Sequence, residues 1–243
     1  MQDDALLVAG DVTDTLRAAV LPVPIPVPFD GAAAVTADPE PGWAGKRVLD
    51  VVVSLVLLLL TLPLFLLVGA VIKLTSPGPV FFRQRRVGKD GHDFPMVKFR
   101  TMHPDSEARL RCDPDLHARF LEGGHKIPSR LDPRVTAVGR VLRRLSLDEL
   151  PQLLNVLSGH MSIVGPRPVE RSQLERDYGA YQPTYLALRP GLTGLWQVSG
   201  RSRVQFPERA QLDQRYLQSS SPWTDVKIIL RTPRAVVTGL GAD

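Results

Sequence analysis

The sequence has few of the residues that build several common kinds of site. It contains one cysteine, Cys112, so a disulfide framework within the chain is excluded. The five histidines lack the spacing of zinc ligands, and the chain has neither a Walker A loop nor a Gly-x-Gly-x-x-Gly turn after a strand pattern. These absences argue against zinc, P-loop and dinucleotide-binding enzymes. Cys112 has no identifiable histidine partner and is interpreted as a structural or incidental thiol.

Charge is unevenly distributed along the chain. Residues 1–42 carry seven acidic residues and one arginine, a net charge of −6. Because the whole chain has a net charge of +5, residues 43–243 carry +11. A basic surface attracts phosphate groups in nucleic acids, lipid headgroups or nucleotides. Because an apolar segment adjoins it, lipid phosphate is the first expectation.

The acidic tail, residues 1–42, has proline at every second position from Pro22 to Pro28. Alternating prolines favour an extended polyproline-like conformation, so this tail is predicted to be disordered or extended. It lacks the basic start and the apolar core of a secretory signal.

Residues 51–72 contain no charged side chain, and this predicts a membrane-embedded helix within 43–75. Pro63 lies near its middle and predicts a kink near Thr61 and Leu62, because proline removes a helical hydrogen bond. Basic residues flank both ends and favour a re-entrant helix that returns to the side it came from. A single span with a translocated tail remains the alternative.

The rest of the chain, residues 76–243, is predicted to be mainly helical with a small β component. Extended pieces are expected at 80–82 and 94–99, around a turn at 89–92. Apolar periodicity predicts the helices, which cover approximately 104–121, 136–145, 147–157, 169–187, 207–218 and 224–238.

Two adjacent acids, Asp148 and Glu149, follow a cluster of arginines and open a predicted helix. Ser146 and Glu149 have the spacing of a capping box, which is the commoner explanation for the local sequence. Alternatively, Asp148 is an ionised nucleophile for a diphosphate that the helix terminus and the arginines attract. Glu149 then fits as a ligand of Mg²⁺, a hard ion that prefers oxygen.

Two rigid segments follow the acidic pair. Arg167 stands between two prolines, and the glycine-rich segment 189–201 ends in Arg201. Such backbones commonly hold a guanidinium against a phosphate, although each segment alone could be an ordinary surface turn.

Taken together, residues 46–238 resemble the bacterial sugar transferase family, the monotopic polyprenyl-phosphate phosphoglycosyl transferases. The resemblance rests on six ordered motifs: KRVLD at 46–50, SPGPVFFRQRRVG at 76–88, KFRTM at 98–102, LSLDELPQ at 145–152, VGPRP at 164–168 and RPGLTG at 189–194.

The resemblance implies a catalytic activity. Such an enzyme transfers a hexose-1-phosphate from a UDP-sugar to polyprenyl (undecaprenyl) phosphate, releases UMP and passes through a covalent aspartyl phosphosugar. It implies that Asp148 is the nucleophile, Glu149 the Mg²⁺ ligand, and that four basic residues contact phosphate or nucleotide: Lys98, Arg143, Arg167 and Arg201. This reaction would be the first membrane step of exopolysaccharide, capsule, O-antigen, lipopolysaccharide or glycoconjugate synthesis.

The resemblance also implies a location and a fold: a kinked re-entrant helix in the bacterial inner (plasma) membrane, carrying a basic cytoplasmic α/β catalytic domain. Membrane lipids are then expected partners and nucleic acid is not. Two positions depart from the family pattern. Leu62 stands before Pro63 where serine is usual, which bears on the bend, and His160 stands where an acid is common, which bears on a local ion pair.

Two other classes of function would fit parts of the sequence. A membrane-anchored nucleic-acid-binding regulator would explain the basic charge, but only 6% of the residues are aromatic, few for a surface that stacks bases. A non-catalytic membrane scaffold would keep its function after Asp148→Asn. The sugar, the role of the tail and the oligomeric state, including a homodimer, stay open at this point.

Overall fold

The computed structural model describes residues 42–122, 127–200 and 203–237. The predicted tail therefore lies outside the described residues except for its last position, and Arg201 lies outside them as well.

The apolar segment forms one helix, α1, which spans Lys46–Thr75 and contains Pro63. Among the described residues, α1 is the only helix whose length and apolar composition suffice to cross a membrane. The helix is continuous through Pro63, and the Thr61 hydroxyl donates to the carbonyl of Leu57 at 2.6 Å. The predicted kink near Thr61 and Leu62 therefore stays a prediction.

Helix α1 lies against the rest of the protein along its whole length. Its buried residues recur on one face: Asp50, Ser54, Val68 and Ile72. Large apolar side chains cover the opposite face and are exposed; they include Val52, Leu55, Leu59, Leu60, Leu66 and Leu67. The helix thus presents one apolar face to the domain and another outward.

Both ends of α1 are attached to the same domain. Near the start, the Arg47 guanidinium donates to the carbonyls of Val156 and Leu157 at 2.5 and 2.8 Å. Near the end, Val68 and Ile72 pack in one buried cluster with Phe99 and Leu142.

The predicted extended pieces form an antiparallel hairpin. Strand β1, Phe81–Val87, pairs with β2, Asp93–Phe99, around a 3-10 turn at Lys89–Gly91. The turn places Asp90 at a positive φ of 55°.

Proline and glycine divide two of the predicted helices. Pro114 starts a new helix within 104–121, because a proline has no N–H to continue the preceding one. Gly179, at φ 48°, separates the parts of 169–187. The resulting helices are α2 Ser106–Cys112, α3 Pro114–Glu122, α4 Ala137–Arg144, α5 Gln152–Leu157, α6 Arg171–Asp177, α7 Gln182–Ala187, α9 Glu208–Ser219 and α10 Pro222–Val237.

Three short elements lie where the sequence predicted only a rigid turn, at 162–168, and a glycine-rich loop, at 189–201. Strands β3, Ser162–Val164, and β4, Gly191–Thr193, pair in parallel, and helix α8, Leu195–Ser199, follows directly. Strands this short have too few residues to show alternation. The prediction of a mainly helical protein with little sheet is confirmed.

The main core lies where α5, β2, β3 and α8 meet. Its buried side chains include Phe94, Met96, Leu153, Val156, Ile163 and Trp196, and Val53 and Leu57 of α1 pack against it. The acidic pair lies on the chain just before α5, so this core fixes its position.

Candidate active site

Asp148 lies in a 3-10 turn, Leu147–Glu149, rather than at the start of an α-helix. Helix α5 begins only at Gln152. A helix starting at 147 would need an N–H from Pro151, which proline lacks; instead the N–H of Leu150 closes the turn on the carbonyl of Leu147 at 3.2 Å.

The capping-box interpretation is wrong for this turn. Ser146 adopts a left-handed conformation, at φ 55°, and makes no side-chain capping bond. The sequence predicted that Asp148 lies at the positive end of a helix dipole. Because α5 begins at Gln152, that end lies at Pro151 and Gln152 instead. The role of Asp148 and Glu149 therefore has to be inferred from the contacts of their side chains.

Glu149 forms ion pairs with two of the predicted basic residues. Its Oε1 accepts from Lys98 Nζ at 3.0 Å and from Arg167 Nη2 at 3.4 Å. Lys98 comes from β2, and Arg167 from the proline turn that follows β3. The fold therefore brings together residues that lie far apart in the sequence.

Arg143, on α4, is held by two hydroxyl groups. Its Nε donates to Thr101 Oγ1 at 2.9 Å and its Nη1 to Ser129 Oγ at 3.4 Å. The positive charges of Arg143, Lys98 and Arg167 all act on Asp148. Five of the six predicted site residues thus lie in one cluster, and the sixth, Arg201, is outside the described residues.

Asp148 itself is buried, with 8% of its surface exposed. Burial raises the pKa of this carboxyl above its usual value, because desolvation outweighs the lowering effect of Lys98, Arg143 and Arg167; the neighbouring charge of Glu149 raises it further. The three cations therefore offset only part of the effect of burial on this pKa. A carboxylate with a raised pKa is more basic and, once ionised, a better nucleophile.

The two rigid segments of the sequence form a single structure. The N–H of Gly165 donates to the carbonyl of Thr193 at 2.9 Å, and the N–H of Gly191 donates to the carbonyl of Pro166 at 2.7 Å. A Cβ on Gly165 would lie 2.3 Å from the carbonyl oxygen of Arg189, so only glycine fits. This contact fixes the backbone that carries Arg167.

Two further arginines adjoin the site and were not predicted. Arg86 and Arg209 both have a pKa lowered by burial, and the positive charge of Arg167 lowers both further. The Arg209 guanidinium lies 4.6 Å above the Trp196 ring. Arg86 could have been suspected from the motif at 76–88, whereas the sequence offered no signal for Arg209. Clustered guanidiniums suit a ligand with several negative charges.

Asn155 is a third residue that sequence reasoning missed. Its Oδ1 accepts from the N–H of Val97 at 2.9 Å, and its Nδ2 donates to the carbonyl of Pro95 at 2.8 Å. The side chain therefore joins α5 to β2, the two segments next to Glu149 and Lys98.

The acidic pair is compatible with a magnesium ion that the substrate helps to bind. No group of three or more histidine, cysteine, aspartate and glutamate side chains with metal-binding geometry occurs in the described part of the chain. Mg²⁺, however, commonly binds through one or two carboxylates together with substrate phosphates and water. Glu149, whose side chain is 20% exposed, is the more accessible of the two candidate ligands.

Comparisons with known proteins identify the family of the chain. A family model described as bacterial sugar transferase matches residues 42–239. The chain is 45% identical over 205 residues to the exopolysaccharide production protein ExoY of Rhizobium meliloti, covering 83% of this chain and 89% of that protein.

Two more relatives have names that specify a reaction. The UDP-glucose:undecaprenyl-phosphate glucose-1-phosphate transferase of Caulobacter vibrioides is 47% identical over 201 residues, or 79% of this chain and 70% of that protein. The undecaprenyl-phosphate galactose phosphotransferase of Salmonella typhimurium is 42% identical over 202 residues, or 81% of this chain and 41% of that longer protein.

Proposed function

Because the chain belongs to the bacterial sugar transferase family, we propose that it transfers a hexose-1-phosphate from a UDP-sugar to polyprenyl (undecaprenyl) phosphate. The observation that carries the proposal is the buried carboxyl of Asp148, on which the charges of Lys98, Arg143 and Arg167 converge. A nucleophile surrounded by cations suits attack on a diphosphate, whose negative charges the cations balance.

In the first step, a carboxylate oxygen of Asp148 attacks the phosphorus that carries the sugar. The bond from this phosphorus to the bridging oxygen breaks, and UMP leaves with the electron pair. Arg143 and Arg167 would bind the phosphate oxygens, on which charge develops. The product is a phosphosugar joined to Asp148.

In the second step, a phosphate oxygen of the polyprenyl phosphate attacks the same phosphorus. The bond to the Asp148 carboxylate breaks, the carboxylate is regenerated, and polyprenyl diphosphate sugar leaves. One site serves a water-soluble donor and a lipid acceptor in turn, which predicts ping-pong kinetics.

We propose Glu149 as the ligand of an Mg²⁺ ion. When bound, this ion would neutralise part of the negative charge of the diphosphate. Glu149 now contacts Lys98 and Arg167, so these cations hold its carboxylate at the site.

The proposed location is the cytoplasmic face of the bacterial inner membrane. The attachment of both ends of α1 to one domain supports a monotopic arrangement, since a straight span would carry one end away from that domain. The exposed apolar face of α1 would then contact lipid.

The proposed product is the first lipid-linked intermediate of a surface polysaccharide, such as an exopolysaccharide or a lipopolysaccharide. Two of the relatives named above have names that specify glucose and galactose. We therefore expect a UDP-hexose as donor.

The test is Mg²⁺-dependent release of UMP from a panel of UDP-sugars by the full chain in detergent, with and without undecaprenyl phosphate. Asp148→Asn is expected to lower the rate more than about 10³-fold, because the nucleophile is lost. Removal of the metal with EDTA is expected to abolish release, and Mg²⁺ to restore it.

Asp105→Asn is the matched control, since it makes the same chemical change in a carboxylate that is 55% exposed and pairs with Arg109 on the same helical turn. Equal activity of Asp148→Asn and wild type would overturn the proposed nucleophile. If folded wild-type protein released no nucleotide from any nucleotide sugar, the proposed reaction would be overturned.

A further inference from the structure

We propose that Phe82 contacts the isoprenoid chain of the acceptor lipid and so guides its phosphate to Lys98. This inference rests on the proposed function and adds a residue that separates acceptor binding from donor binding.

The strand register places Phe82 in the site. Phe82 of β1 stands directly opposite Lys98 of β2. Opposite residues of an antiparallel pair project from the same face of the sheet, with their Cβ atoms about 5 Å apart. Lys98 on this face bonds Glu149, so Phe82 and the ion-paired cluster share one face of the hairpin.

The exposure of Phe82 is unusual for its surroundings. Half of its surface is exposed, whereas Phe94 and Met96 on the same face of the hairpin are buried in the main core. An exposed aromatic ring on the same sheet face as an ammonium group suits a ligand that joins an apolar chain to a phosphate. An isoprenoid phosphate has this composition.

The position of Phe82 also connects the site with the embedded helix. The preceding residue, Phe81, has its ring centroid 5.8 Å from that of Phe65 on α1 and 5.5 Å from that of Phe99. Phe81 and Phe82 project from opposite faces of β1, so these contacts fix the start of β1 against α1 while Phe82 lies on the face that carries Lys98. The proposed path takes the isoprenoid chain from the exposed apolar face of α1 to Phe82 and its phosphate to Lys98.

We expect the acceptor lipid, and not the donor nucleotide, to contact Phe82. A uracil base could also stack on an exposed ring, but a donor from the aqueous side has no need of a position next to α1. The two occupants differ in the half-reaction that they affect, and this difference provides the test.

The experiment compares wild type, Phe82→Ala and Phe82→Leu as full chains in detergent. The first half-reaction is measured alone, as exchange of labelled UMP into the UDP-sugar without lipid. The complete reaction is measured against undecaprenyl phosphate at varied mole fraction in the micelle. Leu121→Ala is the control, since Leu121 is also half-exposed but lies on α3.

We expect Phe82→Ala to raise KM for undecaprenyl phosphate about tenfold, through loss of apolar contact, with the UMP exchange rate unchanged. Phe82→Leu should restore most of the affinity, and Leu121→Ala should behave as wild type.

Three results would overturn the inference. They are an unchanged KM for the lipid in Phe82→Ala, a raised KM for the UDP-sugar in the exchange reaction, and loss of vesicle binding by the variant, which would make Phe82 a general membrane anchor. Failure of wild type to exchange UMP would instead count against the proposed function itself.

Discussion

At the scale of single residues, the site depends on side chains that hold backbone as much as on those that carry charge. Asp148 and Glu149 were predicted from the sequence because acids next to arginines are a local signal. Asn155 gave no such signal, since its two hydrogen bonds reach Val97 and Pro95 on another element. The sequence therefore predicted the charged residues better than the residues that position them.

Asn155→Ala is expected to impair both stability and activity. It leaves the N–H of Val97 and the carbonyl of Pro95 without their partner, and because both hydrogen bonds are part-buried we expect a cost of about 1 kcal/mol for each. We expect a lower melting temperature and at least a tenfold slower release of UMP well below that temperature, because Lys98 is no longer held toward Glu149.

Leu154→Ala is the control on the same helix, because Leu154 is largely exposed. Thermal unfolding and UMP release measured on both variants provide the check. Wild-type turnover by a destabilised Asn155→Ala would show that Asn155 supports the fold without positioning the site.

At the scale of elements, the parallel pair of β3 and β4 decides where Arg167 lies. The sequence indicated two separate rigid turns, whereas the structure joins them through Gly165, Gly191 and Gly194. A Cβ on Gly191 would lie 2.1 Å from the nitrogen of Gly165, and one on Gly194 would lie 2.1 Å from its carbonyl oxygen. Backbone this closely packed tolerates no side chain.

Gly165→Ala is expected to separate the two segments and displace Arg167. A methyl group would overlap the carbonyl of Arg189, and because this neighbour is backbone it cannot rotate away. We expect a loss of about 1–3 kcal/mol of stability and a clear fall in UMP release.

Gly69→Ala is the comparison, since its Cβ would meet only a methyl group of Val80 at 3.6 Å. Melting temperatures and initial rates of the two variants test the expectation. A Gly165→Ala protein as stable and active as Gly69→Ala would contradict the tight contact.

At the scale of the whole molecule, α1 and the domain form one body. Arg47 and Lys46 bind the domain at the start of the helix, and Val68 and Ile72 pack on it near the end. The hydrophobic run in the sequence predicted the helix, and the basic residues on both flanks favoured a re-entrant topology. This topology stays a proposal, for which the attachment of both ends of α1 is the structural argument.

Cysteine labelling tests this topology. Cys112 is exposed, and Ala44, just before α1, is also exposed. In a monotopic protein, Cys112 of wild type and an introduced Ala44→Cys in a Cys112→Ser background should both react with an impermeant thiol reagent only in inside-out membrane vesicles. Reaction of Ala44→Cys in intact spheroplasts, with Cys112 protected there, would demonstrate a spanning helix.

The sequence by itself determined the features that depend on neighbouring residues: the apolar helix, the hairpin, the mainly helical composition, and an acidic pair with arginines and rigid turns around it. Hydrophobic patterning, proline and glycine act locally, so their effects can be recognised along the chain. Tertiary structure alone decided the burial that raises the pKa of Asp148, the ion pairs of Glu149 and the joining of the two glycine-containing segments. These depend on contacts between distant parts of the chain, and desolvation arises only when those parts pack together.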